Sequence, residues 1–245
     1  MRTRKFWFSI LLGIVVMSSS ICGGSGIPNP LNTDDPTGTL STYSTSGPID
    51  VSNPFFQNLG TNGRTCNSCH VSSTAWTISP TEVQARFKAT GGTDPIFRPV
   101  DGANCPSADL STVAARKAAY SQLLNKGLIR ISIGVPAGAE FQIMQISDPY
   151  NCPQTTATQP AMYRRPLPSA GVIFLSTVMW DGRETAAGQA MIENLKTQAK
   201  DATLGHAQAA SAPTTEQVQD IVDFAGQADL IDWESNGEVA IFKGD

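Results

Sequence analysis

Cys66-Asn67-Ser68-Cys69-His70 places two thiols and an imidazole within five consecutive residues. A C-x-x-C-H string is the attachment site of a c-type haem, and each part of it has a chemical reason. The thiols add to the porphyrin vinyl groups as thioethers, so the group cannot dissociate. The histidine turns back beneath the ring and gives a ring nitrogen to iron. Two other chemistries use the same cysteine spacing. A thioredoxin-like dithiol sits on a strand-to-helix turn within a βαβ pattern, which is not seen around Cys66. A structural zinc site needs four ligands, and the chain holds neither a second C-x-x-C nor an H-x-x-x-H. The string predicts one haem c (iron), covalent through Cys66 and Cys69, with His70 as a metal ligand.

The chain has two histidines, and the second is His206, in the stretch Asp201-Ala202-Thr203-Leu204-Gly205-His206-Ala207-Gln208. Three roles stand open for it: sixth iron ligand in a low-spin bis-His electron carrier, distal acid–base group over an open iron position, or bystander. Met144, Met162, Met179 and Met191 are the alternative axial ligands and would raise the potential, although methionine at such positions is commonly core filler. Cys105 and Cys152 share the context Asn-Cys-Pro. In an oxidising compartment they are expected to form a disulfide, with two separate buried thiols as the alternative.

The N-terminus supplies that compartment. Arg2, Arg4 and Lys5 precede an apolar run from Phe6 to Met17 and then the small residues Ser18 to Ser20. This reads as a secretory signal over residues 1–22, too short for a confident membrane span. In bacteria c-type haem is attached after export, so signal and motif agree on a periplasmic protein. Cys22, followed by Gly23 and Gly24, raises a lipid anchor, against which stands Ile21 where a small residue is usual. That anchor is the only membrane association the sequence suggests. The formal net charge is −4 before the three basic residues of the signal are removed. An acidic chain without a basic cluster is a poor candidate for nucleic acid.

The elements that must position these residues follow from punctuation and periodicity. Residues 23–50 are rich in Gly, Pro, Ser, Thr and Asn and read as a flexible arm. Ser79-Pro80-Thr81-Glu82 opens a helix that runs to about Ala89 and stops at Gly91-Gly92. A second helix is expected from Thr112 to Lys126, capped by Ser111 or Asp109 and ended by Gly127. Leu128–Ile133 and Glu140–Ile146 read as a hairpin. Helical pattern returns from Thr185 to about Ala199, and Thr214-Thr215-Glu216-Gln217 resembles a capping box that opens a last helix. The expected fold is mainly α: a cytochrome c-like helical haem domain over 51–230 with a small β-hairpin insertion. Residues 231–245 form an unassigned tail.

One block narrows the reading. Arg165, Pro168, Ser169, Trp180, Asp181, Gly182, Arg183, Gln189 and Ala190 occur in the order Arg-x-x-Pro-Ser, apolar stretch, Trp-Asp-Gly-Arg, Gln-Ala. Together with Cys66, Cys69 and His70 this resembles the bacterial di-haem cytochrome c peroxidase superfamily, which includes the MauG-type maturases. The resemblance covers roughly residues 51–225. It implies that Trp180 lies where electrons pass between haems, a catalytic role, with His206 as the other catalytic candidate. Arg164, Arg165 and Arg183 match haem propionates as guanidinium partners, against the alternative of surface ion pairs. The chain departs from the family in two ways. It has one C-x-x-C-H where the family has two, and its acid segment after Gln-Ala holds His206 and no Glu. Electron transfer to a small cytochrome or cupredoxin is therefore expected. The alternative is a peroxidase-like oxidoreductase acting on peroxide with a second haem subunit.

Overall fold

The computed structural model describes residues 26–35 and 38–233. The predicted secretory signal, Cys22 and most of the predicted tail lie outside the described residues. Among those described are five α-helices and seven strands, the latter in three small antiparallel sheets. The expected mainly α fold is thereby overturned: the protein is mixed α and β, with long irregular connections. No helix among the described residues is long and apolar enough to cross a membrane.

The N-terminal segment expected to be an arm is folded. β1 (Gly26–Ile27) pairs with β4 (Ile49–Asp50), and β2 (Leu31–Asp35) pairs with β3 (Gly38–Ser44). β3 pairs on its other edge with β7 (Ala228–Trp233), so segments from early and late in the described residues share one three-stranded sheet. Polar side chains give the segment its fixed place. Thr42 is 2 % exposed and its Oγ1 accepts from the Trp76 indole Nε1 at 3.0 Å. The Asn29 amide brackets Ser44, donating to its carbonyl at 2.7 Å and accepting from its N–H at 2.9 Å. Apolar alternation, the usual strand signal, is missing here, which is why composition suggested an arm.

α1 (Pro80–Thr90) has the expected ends: the Ser79 hydroxyl accepts from Glu82 N–H, Pro80 opens the helix, and Gly91 closes it with φ 63°. The predicted second helix is broken into α2 (Val113–Ala119) and α3 (Ser121–Lys126), with Thr112 as the cap in place of Ser111 or Asp109. Asn104 causes the break. Its N–H and its amide Nδ2 take the carbonyls of Ala119 and Ala118, and its Oδ1 accepts Gln122 N–H. Those are the groups a continuous helix would have used itself.

The predicted hairpin keeps its first strand and changes its partner. β5 (Ile129–Ser132) pairs with β6 (Ala161–Arg164), and residues 140–146 form no strand. Phe141 and Met144 in that run are 64 % and 81 % exposed, whereas β6 ties Tyr163 to the Asn104 carbonyl through its hydroxyl at 2.9 Å. Within the β5–β6 connection Cys152 is bonded to Cys105, with Cα atoms 5.4 Å apart, as the shared Asn-Cys-Pro context suggested. Closing a loop of 47 residues stabilises by about 4 kcal/mol in the chain-entropy account.

α4 (Met191–Gly205) begins six residues later than the expected Thr185 and runs past Ala199, so His206 stands at its C-cap. α5 (Thr215–Gln227) has its capping box, with Thr214 and Gln217 exchanging side-chain-to-backbone hydrogen bonds. Two apolar clusters result. One gathers Phe55, Trp76, Leu195 and Val222 with Phe224 at its edge; the other gathers Val83, Phe97, Tyr120 and Leu123. Cys66 packs on the first and Cys69 on the second, so the C-x-x-C-H turn lies across the seam between them.

Candidate functional site

The turn is built from its own short-range bonds. Cys66–Ser68 is a single 3₁₀ turn in which Cys69 N–H and His70 N–H both donate to the Cys66 carbonyl, at 3.1 and 3.0 Å. Ser68 Oγ accepts from Thr65 N–H at 3.0 Å, and Arg86 of α1 donates to the Ser68 carbonyl at 2.7 Å. Arg86 is itself paired with Glu82 and Asp94. The two thiols are not bridged to each other. Burial pushes Cys66 up to about 12, with Cys69 adding to it, and pushes Cys69 up to about 11.

His70 Nδ1 lies 3.0 Å from the Trp76 carbonyl oxygen. An oxygen that can only accept requires the proton on Nδ1, which in a neutral ring puts the lone pair on Nε2; the Leu167 carbonyl is a further hydrogen-bond partner of the imidazole. Burial holds the imidazole below its usual value in spite of that hydrogen bond, and the neighbouring His206 pushes the same way. The Trp76 carbonyl is presented by two successive residues, Ala75 and Trp76, with φ 58° and 56°. A left-handed conformation costs a non-glycine residue about 1–2 kcal/mol, so this loop is held by its surroundings. The surroundings are the buried Trp76 ring, the Thr42 hydroxyl and Ser169 N–H, which also donates to the Trp76 carbonyl at 3.1 Å.

One crevice receives the residues singled out in the sequence. Cys66, Cys69, His70, Arg165, Trp180, Arg183 and His206 all line it, as do Arg164 and Met179. Counting its open mouth, the space between its walls is about 1420 Å³. The walls are mostly apolar side chains of the first cluster and of α4 and α5. Of the four candidate methionines, Met179 alone borders the crevice. Met162 takes an Arg164 N–H on its sulfur, Met144 is exposed, and Met191 packs on the first cluster.

At the mouth the arginines already have partners. Arg183 reaches both oxygens of Asp181 at 3.0 and 3.2 Å and lies 3.6 Å from Glu184. Arg164 stands 4.0 Å from Asp181. Arg165 donates through Nη2 to the Lys126 carbonyl at 2.7 Å. Burial opposes ionisation of Asp181, but its bonds to Arg183 outweigh this and hold the carboxyl below its usual range. Trp180 is 57 % exposed and its indole N–H donates to the Arg165 carbonyl at 2.9 Å. Ser169 Oγ is buried in the wall without a hydrogen-bond partner among the described residues.

His206 is anchored by residues the sequence did not single out. Its Nδ1 is 2.5 Å from Oδ2 of Asp101, which is 4 % exposed. The other oxygen, Oδ1, takes Nη1 of Arg64, also buried, at 2.5 Å. Burial would raise the Asp101 carboxyl, but Arg64 and His206 outweigh it and hold it below the usual carboxylate range. Arg64 also donates to the Pro95, Ile96 and His206 carbonyls. Nothing in the local sequence marks Asp101; Arg64 could have been noticed only as a cation two residues before Cys66.

The segment leading into the C-x-x-C-H is stapled to the segment after α4. Thr61 N–H donates to the Ala207 carbonyl at 3.1 Å, Thr61 Oγ1 to the Gln208 carbonyl at 2.8 Å, and Asn62 Nδ2 to the His206 carbonyl at 2.8 Å. Only glycine fits at position 60, because a Cβ there would sit 1.9 Å from the Ala207 carbonyl oxygen. Among the described residues no three His, Cys, Asp or Glu side chains gather into a set that would hold a metal ion unaided. Comparison of the chain with family models, curated proteins and solved structures finds no match.

Proposed function

We propose that the chain is an exported c-type cytochrome that would carry one haem in this crevice and pass single electrons, with His70 and His206 as the residues that would hold its iron. The observation that carries the reading is the disposition of the two histidines. They are the only two in the chain, they line one crevice, and each has its Nδ1 engaged by a fixed oxygen. A neutral imidazole held in this way carries its lone pair on Nε2, the arrangement that ligating histidines use. When bound, the haem supplies a one-electron couple at iron.

The rest of the crevice fits that group. Unbridged Cys66 and Cys69 stand beside His70 for the thioether bonds. The apolar wall would keep water from a bound ring. Ser169 Oγ, buried and unpartnered, and the Arg165 fork, which has further donors beyond its bond to Lys126, suit the propionate carboxylates. Trp180 at the mouth offers an exposed aromatic edge to a redox partner such as a small cytochrome or cupredoxin. The basic and apolar pattern of residues 1–22 supports export to the periplasm.

A second reading is peroxide reduction of the di-haem peroxidase kind, completed by a second haem subunit. One observation favours it: an imidazole backed by a buried carboxylate, as His206 is by Asp101, is also well placed to take and return a proton. Absorption spectra of the purified protein, oxidised and reduced, separate the two. A six-coordinate low-spin spectrum indifferent to peroxide is expected for the carrier. A high-spin spectrum that changes on adding peroxide would establish the second reading in its place. Protein purified from an export-competent host without covalently attached haem would overturn both.

A further inference from the structure

His206 ends α4, and a C-cap residue on its own has a freely rotating side chain. Here both ends of the residue are fixed. Its carbonyl accepts from Asn62 and Arg64, and its ring meets the buried carboxylate of Asp101. Asp101 lies in the connection between α1 and α2, far from α4 in sequence, and its own carbonyl is taken by Arg130 N–H at 2.6 Å. Burying an isolated carboxylate would cost several kcal/mol, and Arg64 supplies the compensating charge. Arg64 is in turn held by the Pro95 and Ile96 carbonyls, so the pair is fixed behind the imidazole.

We infer that Asp101 is the positioning residue for His206: by accepting from Nδ1–H it fixes the ring's tautomer and orientation, so that the Nε2 lone pair is offered to the crevice. This rests on the reading of the crevice as a haem site with His206 as a ligand. A carboxylate is an acceptor only, so the ring nitrogen facing it must carry the proton. The same bond makes the imidazole a stronger donor, which favours the oxidised form of a bound metal.

The donor inventory gives a sharp test. In Asp101→Asn the amide has one acceptor and one donor end. Arg64 offers only donors, so the amide oxygen must turn to Arg64 and the amide N–H₂ must face His206. Nδ1 then has to accept, the proton moves to Nε2, and the lone pair facing the crevice is lost. The test compares covalently loaded wild-type and Asp101→Asn proteins by absorption spectrum and by affinity for added cyanide, which competes for the sixth position. The expected result is loss of the low-spin spectrum and cyanide binding about tenfold or more tighter, the size usual for removing a partner behind a ligand. Unchanged spectrum and unchanged cyanide affinity overturn the inference.

If the variant does not accumulate, the reduced wild-type protein labelled with ¹⁵N gives the answer without a substitution. A His206 Nδ1 that carries a proton protected from solvent exchange is expected; an unprotonated Nδ1 overturns the inference. Its failure is distinguishable from failure of the cytochrome reading. Wild-type protein without covalent haem overturns the cytochrome reading, whereas a loaded protein indifferent to Asp101→Asn removes only the role of Asp101.

Discussion

At the scale of single residues, the crevice sorts its cations by how fully they are already engaged. Arg183 is held by Asp181 and Glu184, while Arg165 gives one nitrogen to a carbonyl and projects to the same mouth. A propionate would have to compete with Asp181 for Arg183 but not for Arg165. We therefore expect Arg165→Ala to move the reduction midpoint upward or downward by clearly more than Arg183→Ala, measured by redox titration; an equal or reversed order would remove Arg165 from the propionate site. A second prediction concerns Asp148, which caps the loop behind the disulfide by accepting from Tyr150 and Cys152 N–H groups, both at 2.9 Å. Burial works against its ionised form, yet these bonds outweigh it and hold the carboxyl below its ordinary range. Its contribution is therefore complete above the ordinary carboxylate range and is lost as pH falls through the lowered folded value. At neutral pH Asp148→Asn should cost about 1 kcal/mol, and the gap to wild type should close in acid; a gap independent of pH in denaturant titrations would contradict this. Cys66, Cys69 and His70 were legible because they form one short string in the sequence. Asp101 was not, since a buried carboxylate acquires its meaning only from the histidine the fold brings to it.

Among the elements, the ones with local causes were the ones the sequence announced. Ser79, Pro80, Glu82 and Gly91 bound α1 through bonds within a few residues, and Thr214 and Gln217 do the same for α5. The expectation failed where a distant residue intervenes. Nothing between Thr112 and Lys126 foretells the break at Tyr120, because Asn104 makes it from outside the helix. Likewise β5 pairs with β6, whose Tyr163 reaches the distant Asn104 carbonyl, and not with residues 140–146. Replacing Asn104 with Ala should leave several of these backbone groups without partners. A loss of about 1–3 kcal/mol is expected in chemical denaturation, the usual cost of an unsatisfied buried polar group. Stability within a few tenths of wild type would mean that α2 and α3 simply fuse.

For the molecule as a whole, the two apolar clusters and the sheet of β2, β3 and β7 explain how a turn of five residues becomes one side of a site. The polar strands at 26–50, read from composition as an arm, brace the Trp76 loop that orients His70. Thr42→Val keeps the volume and removes the acceptor of the Trp76 indole. We expect a drop in thermal stability worth about 1–3 kcal/mol together with a changed midpoint potential; a stability loss with the midpoint untouched would mean the brace does not extend to His70. The staple between residues 60–64 and 206–208 has a mechanical consequence. It rivets one edge of the crevice, because any widening there must break a row of hydrogen bonds and the contact at Gly60. Another part of the crevice wall comes from the run 171–190, where Phe174, Leu175 and Trp180 face solvent. Hydrogen exchange should accordingly be slow in 60–64 and fast in 171–190, so that the site breathes like a book bound along one spine and admits its visitors at the fore-edge.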